Sequence, residues 1–296
     1  MGGTTVTSVL RRKAELDGLP DVTGRTAVVM TMGALHDGHA SLVHGARGLA
    51  GSDGRVIVTV FVNPLQFGAG EDFGRYPRTF DDDVAIASDA GADVVFAPKV
   101  DEVYPAADSP AAAIMIDPGP LGTEIEGAAR PGHFAGMLTV VAKLMHMTRP
   151  DFALFGEKDY QQLVLVRAMA RALDFSVEII GMPTVREADG LAMSSRNRYL
   201  SADARCVAAQ IPVALAAGQA AGPDGAQAVV DAVRRHLDQS SASVGVPVDV
   251  DYVVVRSLDL GPPPRSGAAR LLVTVVIDGT RLLDNVDVHL GPQSVR

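Results

Sequence analysis

Two histidines, His36 and His39, stand three apart around a glycine in the stretch MTMGALHDGHASL, residues 30–42. An apolar run precedes them and a helical pattern follows, so three roles compete. A zinc site wants three or four ligands, and the chain offers neither an HExxH frame nor a cysteine–histidine cluster at finger spacing. A phosphate site would use the imidazoles as donors beside a glycine-rich turn and the N–H groups of the next helix. Histidines that merely pack or face water would do no chemistry. Lys158, in GEKD (156–159), follows the apolar run DFALFG and offers a point charge, or is a solvated loop lysine. Gln66, Gln162 and Asn63 carry amides that donate and accept at once, which suits gripping a hydroxy acid and rejecting analogues without the hydroxyl. They also read as ordinary surface amides. Gln162 lies four residues past Lys158, which puts both on one face if the helix has begun there. Asp81, Asp82 and Asp83 follow Thr79, a cap residue, at a helix start where the dipole favours carboxylates. Asp82 and Asp83 could instead hold Mg²⁺, directly or through water.

The elements that must position these groups are legible as alternating patterns. TAVVMTM (26–32), RVIVTVFV (55–62) and DVVFAP (93–98) read as buried strands. HASLVHGARGLAG (39–51) and the stretch from Thr79 read as helices between them. Strand and helix alternation with short links predicts parallel pairing. It resumes with a helix through GHFAGMLTVVAKLMHMT, a strand in DFALFG, a helix in DYQQLVLVRAMARAL and a strand in SVEIIGMPTV. Residues 1–184 therefore form a doubly wound, Rossmann-like α/β domain. Residues 185–296 form a smaller α+β domain: Ala-rich helices over 200–240, a strand at 249–256, and a hairpin over 270–290 turning at DGT. In an open α/β sheet, ligands bind beyond the carboxyl ends of the strands, where both the GALHDGH turn and GEKD fall.

Composition narrows the classes. A hydrophobic content of 47% supports a sizeable core, and the net charge of −9 speaks against a nucleic-acid surface without excluding a small anionic substrate. No apolar run is long enough for a membrane span, and the start of the chain has no signal-like core. The one cysteine, Cys206, sits in an alanine-rich helical stretch and reads as a buried, inert thiol. These features point to a cytoplasmic protein. Residues 68–79, GAGEDFGRYPRT, are rich in glycine and charge; they read either as a lid carrying Arg75, Tyr76 and Arg78 towards phosphates or as a plain surface loop.

The HDGH stretch is similar to the HxGH signature of the nucleotidyltransferase superfamily. Four more stretches sharpen the likeness: FVNPLQF (61–67), RPGHFAGMLTVVAKL (130–144), FGEKDYQQLVLVR (155–167) and PTVREADGLAMSSRNRYL (183–200). Together they closely resemble the pantothenate synthetases, the pantoate–β-alanine ligases, over nearly the whole chain. The resemblance implies ATP-dependent joining of pantoate to β-alanine through a pantoyl adenylate, with Mg²⁺, in a homodimer. It implies that Met32, Gly33, Ala34, Leu35, His36, Asp37, Gly38 and His39 line the ATP site, with His39 as catalytic acid and His36 a second phosphate contact. Gly156, Glu157, Lys158 and Asp159 would supply a further phosphate contact. MSSR, with Met193, Ser194, Ser195 and Arg196, resembles the superfamily's second nucleotide signature, where many relatives carry lysines; the serines shift the charge to Lys158 and Arg196. Met193 and Val185 would border adenine and ribose. Gln66 and Gln162 would hold pantoate, Gln66 would also meet β-alanine, and Asn63 is an extra partner. Rivals are an adenylyltransferase of the same superfamily, a silent nucleotide sensor on the same scaffold, and, distantly, a zinc hydrolase. The second domain is expected to close over the site.

Overall fold

The computed structural model describes residues 7–68, 72–105 and 114–292. Two compact units emerge: residues 1–157 with 165–183, and residues 158–164 with 184–296. The first turn of a helix thus groups with the C-terminal unit rather than with the strand that precedes it.

The first unit is built on a six-stranded parallel sheet. Its strands are β1 (Ser8–Leu10), β2 (Thr26–Thr31), β3 (Arg55–Val60), β4 (Val94–Phe96), β5 (Phe152–Gly156) and β6 (Glu178–Met182), in the order β1-β4-β3-β2-β5-β6. Each neighbouring pair is parallel. The order reverses direction between β2 and β5, and such a switch point opens a crevice at the strands' carboxyl ends. Val28 and Val29, consecutive on β2, are both fully buried, as a sheet covered on both faces requires. One face packs α1 (Asp37–Ala50) and α2 (Phe80–Asp89) through Val43, Ala46 and Ala87 onto Ala27, Val29, Val56 and Val58. The helix α3 (His133–Thr148) is buried through nearly its whole length, more than one apolar face alone requires. After β5 comes α4 (Tyr160–Ala172). The short edge strand β1 escapes a sequence reading because three residues show no period.

The second unit holds α5 (Ala202–Ala208), α6 (Ile211–Ala220) and α7 (Ala226–Val244), then an antiparallel meander of β7 (Val248–Arg256), β8 (Gly267–Ile277) and β9 (Thr280–Leu290). The β8–β9 turn has Asp278 and Gly279 both at positive φ, the two-residue geometry that matches strand twist. Its core joins Ile211, Leu215, Val233 and Leu237 of the helices to Leu271, Val273 and Val275 of the sheet. Cys206 is exposed, contrary to the buried thiol expected: α5 buries Ala204, Val207 and Ala208, and position 206 points away from that face. Among the described residues no helix is long and apolar enough to cross a membrane.

Candidate active site

In the first unit the chemistry gathers at the carboxyl end of β2. The chain leaves Thr31 and turns through Gly33 at φ +83 and Ala34 at φ +51 before entering α1. Two successive left-handed residues are costly, above all for the alanine. Asp83 of α2, only 1% exposed, holds the turn in place: its Oδ1 accepts from Leu35 N at 2.8 Å and its Oδ2 from Ala34 N at 3.2 Å. The Thr79 hydroxyl also donates to Asp83 Oδ1, at 3.1 Å, and makes no backbone cap, so the expected cap residue serves the carboxylate instead. A Cβ at Gly33 would lie 2.8 Å from Asp83 Oδ2, which explains the glycine.

The two histidines cap α1 reciprocally. His36 Nδ1 accepts from Gly38 N at 3.1 Å, and His39 Nδ1 accepts from His36 N at 3.3 Å, with the rings 4.1 Å apart. A neutral imidazole has one lone pair. Here each is spent on a backbone N–H, so neither ring keeps one for a metal, and the proton of each neutral ring sits on Nε2. Both side chains are therefore fixed as Nε2–H donors at a helix N-terminus, where the dipole favours an anion. No group of three or more candidate metal ligands occurs among the described residues.

Beside this turn lies an amide cluster. Asn63, 1% exposed, donates to Gln66 Oε1 and to Gly136 O, both at 3.1 Å, and accepts from Leu65 N and Tyr104 OH. Gln66 Nε2 meets Met32 Sδ at 2.9 Å. The backbone carbonyl of Gln66 faces His133 Nδ1 at 2.8 Å and takes a bond from Arg130. That carbonyl only accepts, so His133 Nδ1 carries a proton; Nε2 faces the Arg130 guanidinium at 3.1 Å and accepts. Sequence reading passes over Tyr104, Arg130 and His133 as individual residues, although the last two lie in the quoted RPGHF stretch. Asp82 is exposed on the first turn of α2, while Asp83 is occupied by backbone amides. Of the two expected Mg²⁺ carboxylates, Asp83 is thus engaged by the turn and Asp82 faces solvent. In the expected lid, residues 69–71 lie outside the described residues. Tyr76 is buried, edge-on to Phe67, and the Arg78 guanidinium lies over the Phe73 ring.

The second unit carries the other expected groups. Lys158 lies in a 3-10 turn, Glu157–Asp159, and α4 starts only after it. The one-turn spacing anticipated for Lys158 and Gln162 therefore does not hold, since the helix has not begun at the lysine. Gln162 is half-buried and Gln161 beside it is 4% exposed. The lysine's carbonyl accepts from Asn285 Nδ2 of β9 at 2.7 Å. Asn285 Oδ1 in turn accepts from Arg270 Nε, and the Arg270 guanidinium lies 4.2 Å over the Tyr160 ring. Tyr160 donates to Leu258 O.

Val185 and Met193 are joined by Met193 N to Val185 O at 2.9 Å, across a tight hairpin with an Arg186–Ala192 bridge. Ser194 caps the following 3-10 turn, Ser195–Tyr199, by accepting from Arg196 N. Arg186 pairs with Asp284 through both terminal nitrogens, at 2.6 and 3.0 Å. Arg205 bonds Glu187 and Asp189, and Asn197 bonds Glu187 and the Ala192 carbonyl. The Arg205 hydrogen bond holds the Glu187 carboxyl below its ordinary range, and the Glu187 bond raises Arg205. The sequence profile of the family described as Pantoate-beta-alanine ligase matches residues 5–287.

The chain belongs to the pantoate–β-alanine ligase family. A pantothenate synthetase of Salinispora arenicola (strain CNS-205) is 52% identical over 290 residues, which cover 98% of this chain and 100% of that one. The solved pantothenate synthetase of Thermus thermophilus matches with a TM-score of 0.83 at 43% identity, covering 95% of this chain and 99% of its own. The pantoate–β-alanine ligase of Francisella tularensis, solved with β,γ-ATP and β-alanine, matches with a TM-score of 0.76 at 29% identity, covering 95% and 97%. The parallel sheet with a separate antiparallel C-terminal sheet is thus the architecture of pantoate–β-alanine ligases.

Proposed function

We infer that the chain catalyses ATP-dependent condensation of pantoate with β-alanine, giving pantothenate, AMP and pyrophosphate. Family membership over nearly the whole chain supports this, and the Nε2–H donor pair His36 and His39 carries the chemistry. A carboxylate is a poor electrophile, so it needs activation. One pantoate carboxylate oxygen attacks the α-phosphorus of ATP, the bond from Pα to the bridging oxygen breaks, and pyrophosphate leaves. The amine of β-alanine then attacks the acyl carbon, and AMP departs with the C–O electrons. The first step brings two anions together, and the protein's task is to neutralise charge and fix geometry. His39 and His36 donate to phosphate oxygens as they gain charge. Lys158 and Arg196 add cations, while Ser194 and Ser195 supply hydroxyls. Met32 to His39 and Gly156 to Asp159 present backbone to the nucleotide, with Val185 and Met193 beside its base and sugar. Gln66 and Gln162 hold pantoate.

Mg²⁺ would supply charge neutralisation at the phosphates of ATP, with few protein ligands needed to hold it. Asp82 is the carboxylate we assign to it. The enzyme works in the cytoplasm as a homodimer. AMP formation, coupled and followed with each substrate omitted in turn, tests the overall reaction: turnover requires all three. Radiolabelled pyrophosphate is expected to exchange into ATP with pantoate present and amine absent. Absence of exchange alongside normal turnover rules out a route in which pyrophosphate leaves before the amine reacts. An adenylyltransferase would instead form AMP adducts of a phosphorylated precursor, and a nucleotide sensor would bind ATP without turnover.

A further inference from the structure

Asn63 is expected from the sequence to touch substrate, but its hydrogen-bonding capacity is already spent. An asparagine amide has two N–H donors and two acceptor sites. The donors reach Gln66 Oε1 and Gly136 O, and the acceptor sites take Leu65 N at 3.2 Å and Tyr104 OH at 2.9 Å. Two of the four partners are backbone groups whose polarity cannot change: Leu65 N only donates and Gly136 O only accepts. They fix which end of the Asn63 amide is oxygen and which is nitrogen. Gly136 must be glycine for this approach, since a Cβ there would come within 2.0 Å of Leu65 O.

The polarity then propagates. Because Asn63 presents N–H to Gln66, Gln66 must answer with Oε1, and its Nε2 is turned the other way, against Met32 Sδ. Because Asn63 presents oxygen to Tyr104, the phenol must donate, and it is the second donor, beside Leu65 N, that holds this oxygen in place. Burial pushes the Tyr104 phenol up from its ordinary pKa, which keeps that proton in place. The Gln66 backbone is held as well, by His133 and Arg130 at its carbonyl. Gln66 is 8% exposed, and among the described residues Met32 Sδ is its one Nε2 partner, so one N–H remains for a ligand.

We propose that Asn63 and Tyr104 are positioning residues that lock the Gln66 amide with its NH₂ group outward, so that Gln66 meets the hydroxy-acid substrate as a hydrogen-bond donor to an acceptor oxygen. This rests on the functional reading above, in which Gln66 holds pantoate. Tyr104 touches no substrate and acts only through Asn63.

Steady-state kinetics of the full chain with pantoate varied, then ATP varied, test it. Tyr104→Phe removes one of the two donors fixing the Asn63 oxygen, and pantoate KM is expected to rise about threefold with ATP KM unchanged. Asn63→Asp is isosteric yet removes both N–H donors. Gln66 must then turn its Nε2 inward and its carbonyl out, and pantoate KM is expected to rise about tenfold or more. A filler role would leave that isostere nearly silent. Should Asn63→Asp fail to fold, as judged by its melting curve, Tyr104→Phe decides alone. A pantoate KM that is unchanged in Tyr104→Phe, or that rises in step with the ATP KM, overturns the lock. A wild-type chain that forms no AMP with pantoate overturns the functional reading itself, which is a separate outcome.

Discussion

The two regions that carry candidate chemistry are built in opposite ways. The histidine caps after β2 are made locally, with one carboxylate from a later helix steadying the turn before them. His36 and His39 cap the helix they begin, each using the other's backbone or that of Gly38, and one carboxylate, Asp83, pins the left-handed residues before them. Lys158 and the MSSR segment are made at long range. Asn285 and Arg270 of the C-terminal sheet hold the lysine's turn, and Asp284, Arg186 and Arg205 hold the hairpin before MSSR. Local construction leaves a short, recognisable signature. Long-range construction spreads the same requirement over residues that look unremarkable one by one.

If both regions serve the transition state, removing the active group from either should cost alike. His39→Ala and Lys158→Ala are each expected to lose about 10² to 10³ in the rate of adenylation, the usual cost of a lost preorganised donor. Pyrophosphate exchange measures that step; an unchanged melting temperature shows that the loss is chemical for Lys158→Ala, and a retained cooperative melt shows it for His39→Ala, which also gives up a helix cap. A variant within threefold of wild type takes that residue out of the mechanism.

The next effect tests the carboxylate that steadies the turn before the histidines. Asp83→Asn keeps the shape but sets an amide N–H against a backbone N–H of the turn. The unmet bond is expected to cost about 1–3 kcal/mol of stability, with a rate loss of about tenfold or more as the turn loses its shape. Urea unfolding and exchange kinetics on the same preparation give both numbers. Mg²⁺ titration sharpens the assignment: Asp83→Asn should leave the Mg²⁺ requirement unchanged, and Asp82→Asn should raise it.

For the distant scaffold, Asn285→Ala removes the Asn285 bonds to the Lys158 carbonyl and to the buried Arg270 Nε. The expected result is about 2 kcal/mol of destabilisation and a rate loss nearer tenfold. Asn285→Asp restores the Arg270 contact alone. If the rate follows Asn285→Asp back to wild type, the bond to the lysine's carbonyl is irrelevant to chemistry.

This contrast also explains what the sequence reveals. The parallel sheet, the helices and the C-terminal hairpin follow from apolar period and turn residues, because burial of both sheet faces leaves continuous apolar runs. The HDGH turn is legible because strand end, glycines and helix start are contiguous. The Lys158–Gln162 register is not, because a 3-10 turn precedes α4 and nothing in GEKD distinguishes it from a first helical turn. Cys206 reads as buried only if an alanine-rich helix is covered all round, whereas α5 presents one face. Asn63 looks like a substrate contact in the sequence since its four partners come from three separate stretches, at 65–66, 104 and 136.

The smallest expected effect concerns acid. Arg205 donates to Glu187 and Asp189 where the chain turns before MSSR. The Arg205 hydrogen bond, aided by Asn197, lowers Glu187 from its ordinary 4.5; in Asp189, burial raises the carboxyl, but Arg205 and Leu191 N outweigh it. A carboxyl whose folded pKa lies below its unfolded one binds fewer protons when folded, so it stabilises the fold at neutral pH. That contribution is complete above the unfolded values and fades as pH falls through the lowered folded ones. Because these side chains remain partly open to solvent, the worth is about 1 kcal/mol or less. Melting of wild type and Arg205→Ala should therefore differ by a constant small amount from neutrality down to the ordinary carboxyl range and converge below it. Curves that stay equally far apart in strong acid would mean that Arg205 supports the hairpin by packing its stem rather than through charge.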